Sequence, residues 1–213
     1  MSEPSTDLRT DTGAARRERI LDEAEALFAE HGFHGIALAK IATAAGLGNA
    51  GLIHHFPSKA SLYRAVLERV ATDLDDRLAH ALESTQDAGE RLRAFLRVQL
   101  EWALERPLAF RLIQRELIDN RERVASAHNL PLAGFVSAGR QIVVEAQAEG
   151  LVAPGPPELR LNLLIGALTY AALVRPTFRQ ILASDLLSDE RAWLEAVIDD
   201  LLASAVEPRG KRR

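Results

Sequence analysis

A chain of 213 residues with 47% hydrophobic and 26% charged side chains has the composition of a folded globular protein, which excludes disorder. Zero cysteines exclude disulfides, thiolate zinc sites and a cysteine nucleophile, and the cytoplasm becomes the expected compartment. A net charge of −4 gives no chain-wide attraction to nucleic acid, so any such contact has to come from a local basic face.

Thirty-five alanines and 33 leucines stand against 10 isoleucines and 11 valines, a balance that favours helix and leaves little β-branched material for strands. Strand-type alternation is not sustained anywhere, whereas the 3.6-residue period recurs throughout, so the expected fold class is all-α. Residues 1–13, MSEPSTDLRTDTG, hold no signal-like apolar stretch and read as a flexible arm; Arg9, Arg16, Arg17 and Arg19 could reach phosphates. The first helix is expected over about Ala15–Glu30, with Ile20, Leu21, Ala24, Leu27 and Phe28 on one face and Gly32 as its stop. Two short helices follow, Leu38–Ala45 and Asn49–His55, separated by Gly46-Leu47-Gly48, the break of a helix-turn-helix pair.

Pro57 ends the second short helix, and Ser58 is placed to cap a long one over Lys59–Leu82, a strut of roughly 36 Å. Asp87 and Glu90 suit a capping box for Ala88–Glu105, and Pro107 opens a helix reaching Asn120. Pro131–Glu149 stops at Gly150, and VAPGPP over Val152–Pro157 must be a loop. Two helices close the chain: Glu158 to about Leu182, with a kink expected at Pro176, and Asp189–Glu207 behind Ser188. The longest apolar block, Leu161–Val174, is shorter than the roughly 20 residues a bilayer span needs, so no membrane partner is expected.

Charge is uneven. No Asp or Glu lies between Glu30 and Glu68, a window that holds Lys40, Lys59, Arg64, His31, His34, His54 and His55. The histidines have neither ligand spacing nor acidic second partners, so no metal or other cofactor is expected. No phosphate loop, nucleophile elbow or cysteine occurs, so no catalytic residue is assigned and the chain is not read as an enzyme.

The run from RRERILDEAEALFAEHGFHG through IALAKIATAAGLGNAGLIHHFPSKASLYRAVLERV, residues 16 to 70, resembles the DNA-binding domain of the TetR family of bacterial ligand-responsive transcriptional regulators. Ile20-Leu21, Ala24, Leu27-Phe28, Gly32-Phe33, Ile41-Ala42, Ala45-Gly46, Leu52, His55 to Lys59 and Leu62 carry it. The resemblance implies a DNA-binding domain over 14–58, a ligand-binding and dimerisation domain over 59–207, and a disordered basic tail over 208–213. It implies that Asn49, Ala50 and Gly51 face bases, that His54, His55 and Lys59 meet phosphates, and that Lys40 faces the same groove. The family pattern usually has Thr at Ile36 and Ala37, Ser at Gly48, Thr or Ser at Gly51 and Tyr at Ile53, so several hydrogen-bonding readers and a helix cap are missing here.

The function implied is a dimeric regulator, a repressor released from double-stranded operator DNA by an unknown small-molecule effector. The alternative is a ligand-binding or interaction module whose weakened helix-turn-helix no longer reads DNA specifically. In the second domain Trp102, Phe110, Gln114, Leu117, Phe135 and Tyr170 are the candidate effector residues, and Phe95 and Phe178 are further rings at helix-internal positions. Leu161, Leu164, Leu168, Trp193, Val197 and Leu201 are the candidate homodimer interface.

Overall fold

The computed structural model describes residues 13–119 and 130–205, and its regular elements are all helical. Residues 1–12 of the expected arm with Arg9, Asn120, the end of the last helix and the basic tail lie outside the described residues, while Gly13, expected in the arm, already belongs to the first helix. The elements are α1 (Gly13–Gly35), α2 (Leu38–Ala44), α3 (Asn49–His55), α4 (Lys59–Leu82), α5 (Ala88–Glu105), α6 (Pro107–Asp119), α7 (Ala133–Ala148), α8 (Pro157–Ile181) and α9 (Glu190–Ala205). A 3-10 turn, Asp185–Leu187, precedes α9.

Local chemistry accounts for the breaks. Gly32 interrupts α1 at φ 73°, a conformation only glycine adopts without strain. Gly46, at φ 70°, closes α2 in a Schellman turn: its N–H donates to the Thr43 carbonyl at 3.0 Å, and the Leu47 N–H donates to Ala42 at 2.8 Å. Ser58 and Ser61 cap α4 reciprocally, each backbone N–H donating to the other's hydroxyl at 3.0 Å. Asp87 caps α5 by accepting the Glu90 N–H at 2.9 Å. By contrast α2 starts at Ala37 and α3 at Gly48 with no side-chain cap. Ala37→Ser should therefore raise the unfolding free energy by about 1 kcal/mol, measured by urea denaturation.

One continuous apolar cluster holds these helices, running from Ile20 and Phe28 through Leu62, Leu67, Phe95 and Leu112 to Leu168 and Ile198. Helix α4 packs on α1, α5 and α7. The neighbour of α1 along its other flank is α6: Arg115 on α6 donates to the Glu30 carbonyl at 3.0 Å. Helix α5 is central, touching α4, α6, α7, α8 and α9. It meets α7 closely because Gly139 has no side chain: a Cβ there would lie 2.6 Å from the Phe95 ring and 2.9 Å from Leu161.

Helix α8 departs from expectation. The whole 25-residue helix is, by length and composition alone, long and apolar enough to cross a bilayer, which the 14-residue apolar block had excluded. It packs against α5, α7 and α9, yet leaves Leu159, Leu163, Tyr170 and Leu173 exposed. Apolar residues cover two faces of this helix, and only one is used by the subunit's own core.

Candidate nucleic-acid interface and effector cavity

Helix α3 stands at the surface. Leu52 alone is buried, at 0% exposure, and ties it to the core; Asn49, Ala50, Gly51, Ile53 and His54 are exposed. Lys40 on α2 is exposed, while His55 and Lys59 are half-buried. The Lys59 ammonium sits 4.9 Å from the centroid of the Phe33 ring, and the Arg17 guanidinium 5.1 Å from that of Phe56. Arg19 donates to the Ala45 carbonyl at 3.2 Å, fixing α1 against the end of α2. An α-helix presented this way fits a major groove, and the absence of carboxylates from residues 31–67 removes repulsion from phosphates. Ile53, which stands where the family pattern usually has Tyr, is 43% exposed and puts an apolar side chain on the same face.

A family model described as bacterial regulatory proteins of the tetR family matches residues 20–66. The nucleoid occlusion factor SlmA of Photobacterium profundum is 30% identical over 132 residues, covering 61% of this chain and 67% of SlmA. The chain belongs to the tetR family. The TetR-family regulator RutR of Escherichia coli is 25% identical over 209 residues, 96% of this chain and 97% of RutR. Among solved structures, AibR in complex with isovaleryl coenzyme A and operator DNA shares the fold, with a TM-score of 0.65 at 19% identity over 89% of this chain and 97% of AibR. This chain is therefore a helix-turn-helix transcriptional regulator.

Behind the DNA-facing module of this TetR-family chain lies a cavity of about 600 Å³ between α4, α5, α6, α7 and α8. Trp102, Phe110, Gln114, Leu117 and Phe135, singled out from the sequence, all line it. Tyr170 does not. Its side chain is 63% exposed, because the helical phase of α8 turns Ile165 and Thr169 towards the cavity, sets Asn162 and Gly166 at its open rim, and turns Tyr170 outward. Phe95 lies deeper, stacked on Phe135 with ring centroids 4.7 Å apart. Sequence periodicity missed Leu67, Leu74, Gln99, Asn162 and Thr169 as lining residues: they come from three helices, and no spacing within one helix shows that these faces meet around a cavity.

The cavity wall is wired to α1. Trp102 Nε1 donates to Asp73 Oδ2 at 3.0 Å, and Arg106 donates to the same oxygen at 3.0 Å. Arg106 also donates to both Glu25 oxygens, at 3.0 and 3.1 Å. Arg69 reaches Glu25 at 2.8 Å and Asp22 at 2.7 Å. Burial works against the charge on Arg69, but Glu25 and Asp22 together outweigh it and hold the guanidinium above its ordinary titration range. On α6, Glu116 accepts from the Tyr63 hydroxyl of α4 at 2.8 Å.

The interface residues read from the sequence divide in two. Leu161, Leu164 and Leu168 are 5%, 5% and 3% exposed, buried inside the subunit's own core, and so cannot be surface residues of a dimer interface. Trp193, Val197 and Leu201 are half-buried on α9, with Trp193 Nε1 donating to the Ala171 carbonyl at 3.0 Å. The open apolar stripe is one helical step away: Leu159, Leu163, Gly166, Tyr170 and Leu173. At Gly166 a Cβ would meet nothing within 4 Å.

Proposed function

We propose that this regulator is a homodimeric repressor that leaves its operator when a small molecule fills the cavity. In this reading residues 14–58 form the reading domain and 59–207 the ligand and dimerisation domain. Asn49, Ala50 and Gly51 enter the major groove, and Lys40, His54, His55 and Lys59 meet phosphates. Asn49 can pair bidentately with adenine, while Ala50 and Ile53 suit the thymine methyl group. The observation that carries the reading is that α4 and α6 both line the cavity and both pack on α1. A ligand that prefers one arrangement of these helices shifts the orientation of α3 by differential affinity, and a coupling of roughly 1–3 kcal/mol gives a 5- to 150-fold response. The AibR complex, with both an acyl-CoA and operator DNA, supports the same division of labour. Such a regulator works in the cytoplasm, where its DNA lies.

A gel-shift titration at several salt concentrations, with the DNA flanking its own gene, tests this. Binding should weaken steeply with salt, and a log–log slope near zero would overturn the reading. Lys59→Ala should weaken all sequences alike and lower the slope by about two across a dimer. Asn49→Ala should cost about 1–3 kcal/mol at the cognate site and leave non-specific binding unchanged.

A further inference from the structure

We propose that Arg106 is the residue that ties the state of the cavity to the position of the helix-turn-helix, a role that rests on the effector reading above and names the means of its regulation. Arg106 is the single residue between α5, which ends at Glu105, and α6, which begins at Pro107. Its backbone leaves the helical region, at φ −123° and ψ 56°, so the chain changes direction there. Both helix ends are nonetheless bonded to it: its N–H donates to the Trp102 carbonyl at 2.9 Å, and the Phe110 N–H donates to the Arg106 carbonyl at 2.9 Å. Trp102 and Phe110 both line the cavity, and their rings meet edge to face with centroids 6.3 Å apart. The joint between α5 and α6 is therefore bracketed, about one turn to each side, by aromatic rings of the cavity wall.

The side chain of Arg106 carries that joint to two other helices. Its Nη1 donates to Asp73 Oδ2 of α4 at 3.0 Å, the oxygen that also accepts from Trp102 Nε1 at 3.0 Å. Its Nη2 donates to both Glu25 oxygens of α1, at 3.0 and 3.1 Å. The guanidinium is planar and rigid, so its two ends cannot move independently. A shift of the joint moves α1 relative to α4, and a shift of α1 reaches the rings of the cavity wall. Arg69 is the natural contrast. It also joins α4 to α1, through Glu25 at 2.8 Å and Asp22 at 2.7 Å, but it stands on α4 itself, away from the joint, and is not among the described lining residues. Arg69 fastens α1 to α4, whereas Arg106 fastens both to a joint that the cavity wall flanks.

Coupling between two sites is reciprocal: a cavity that acts on DNA affinity is itself changed by DNA. The test therefore needs no effector. Amide exchange is followed by mass spectrometry on the full chain, with and without saturating DNA from the region flanking its own gene. In the wild type α3 should become protected, and the amides of residues 102–110 should change their exchange rate by at least about fivefold. Arg106→Lys keeps the positive charge but offers one ammonium in place of a two-ended fork. There α3 should still be protected by DNA, which also shows that the variant is folded, while the change at 102–110 falls below about twofold. Arg69→Lys should keep both responses. If Arg106→Lys does not fold, Asp73→Asn, which weakens the same bridge at its α4 end, should give the same loss. Unchanged exchange at 102–110 in the wild type, with α3 protected, overturns the proposal and leaves DNA binding standing. A response that persists in Arg106→Lys, or that Arg69→Lys abolishes equally, overturns it as well, because the junction as a whole then carries the coupling. No protection of α3 in the wild type overturns the regulator reading and this inference with it.

Discussion

Leu163→Arg is expected to leave the subunit folded, make it monomeric, and lower operator affinity about a hundredfold or more. Leu163 is 52% exposed in the single subunit, so arginine there costs little in the monomer. It sits in the stripe Leu159, Leu163, Gly166, Tyr170 and Leu173, whose steps of four, three, four and three residues hold one face of α8. The three leucines and Tyr170 are each at least 49% exposed, an apolar strip that a second copy would cover. Two-fold symmetry places a substituted arginine at the interface twice, each time as a desolvated charge without a partner. Losing the second subunit also loses the tethering of the second DNA reader, which is worth roughly 10²–10⁴ in affinity. Sedimentation equilibrium and a gel shift check both halves of the expectation; a persistent dimer would move the interface away from this face. Leu164→Arg is the control. One position along, at 5% exposure, it would force a charge into the subunit's own core and abolish folding, seen as loss of cooperative unfolding.

The second large effect is at Glu25. Glu25→Ala should lower the unfolding free energy by about 3 kcal/mol in urea denaturation. Glu25 is 7% exposed and accepts from Arg69 and from Arg106, so removal takes one shared partner from two cations at a helix junction. The figure lies at the low end of the range for broken buried pairs because each arginine keeps another partner, Asp22 for Arg69 and Asp73 for Arg106. Because the pair joins α1 to α4 and to Arg106 at the end of α5, the loss should also be local. Amide exchange should accelerate in α1 more than in α9, which shares no bond with the network. A loss below 1 kcal/mol, or uniform acceleration, would show that the network holds nothing together. Glu25 drew no attention in the sequence, where it reads as one more polar residue on the outer face of the first helix. Its partners lie 44 and 81 residues away, and nothing in a 3.6-residue pattern links them.

Helix α3 was legible for the opposite reason. Gly46, Pro57 and Ser58 act through backbone geometry and capping within a few residues, so the end of α2, the end of α3 and the start of α4 fall where these residues require. Leu52 between exposed Asn49, Ala50, Gly51, Ile53 and His54 likewise follows from one apolar side chain on a two-turn helix. The cavity was half legible. Large rings in helix interiors pointed to Trp102, Phe110 and Phe135, but Tyr170 met the same description and faces outward.

Most helix ends, the all-α class and the exposed helix-turn-helix were thus determined by the sequence itself, because the forces that set them act over one or two turns. Which apolar face of α8 is core and which is surface, where the cavity's polar atoms point, and how Glu25 ties α1 to Arg69 and Arg106 were decided only by tertiary packing. A helix apolar on two sides carries no internal mark of which side its neighbours will bury. Bonds between residues dozens of positions apart exist only once the chain has closed on itself.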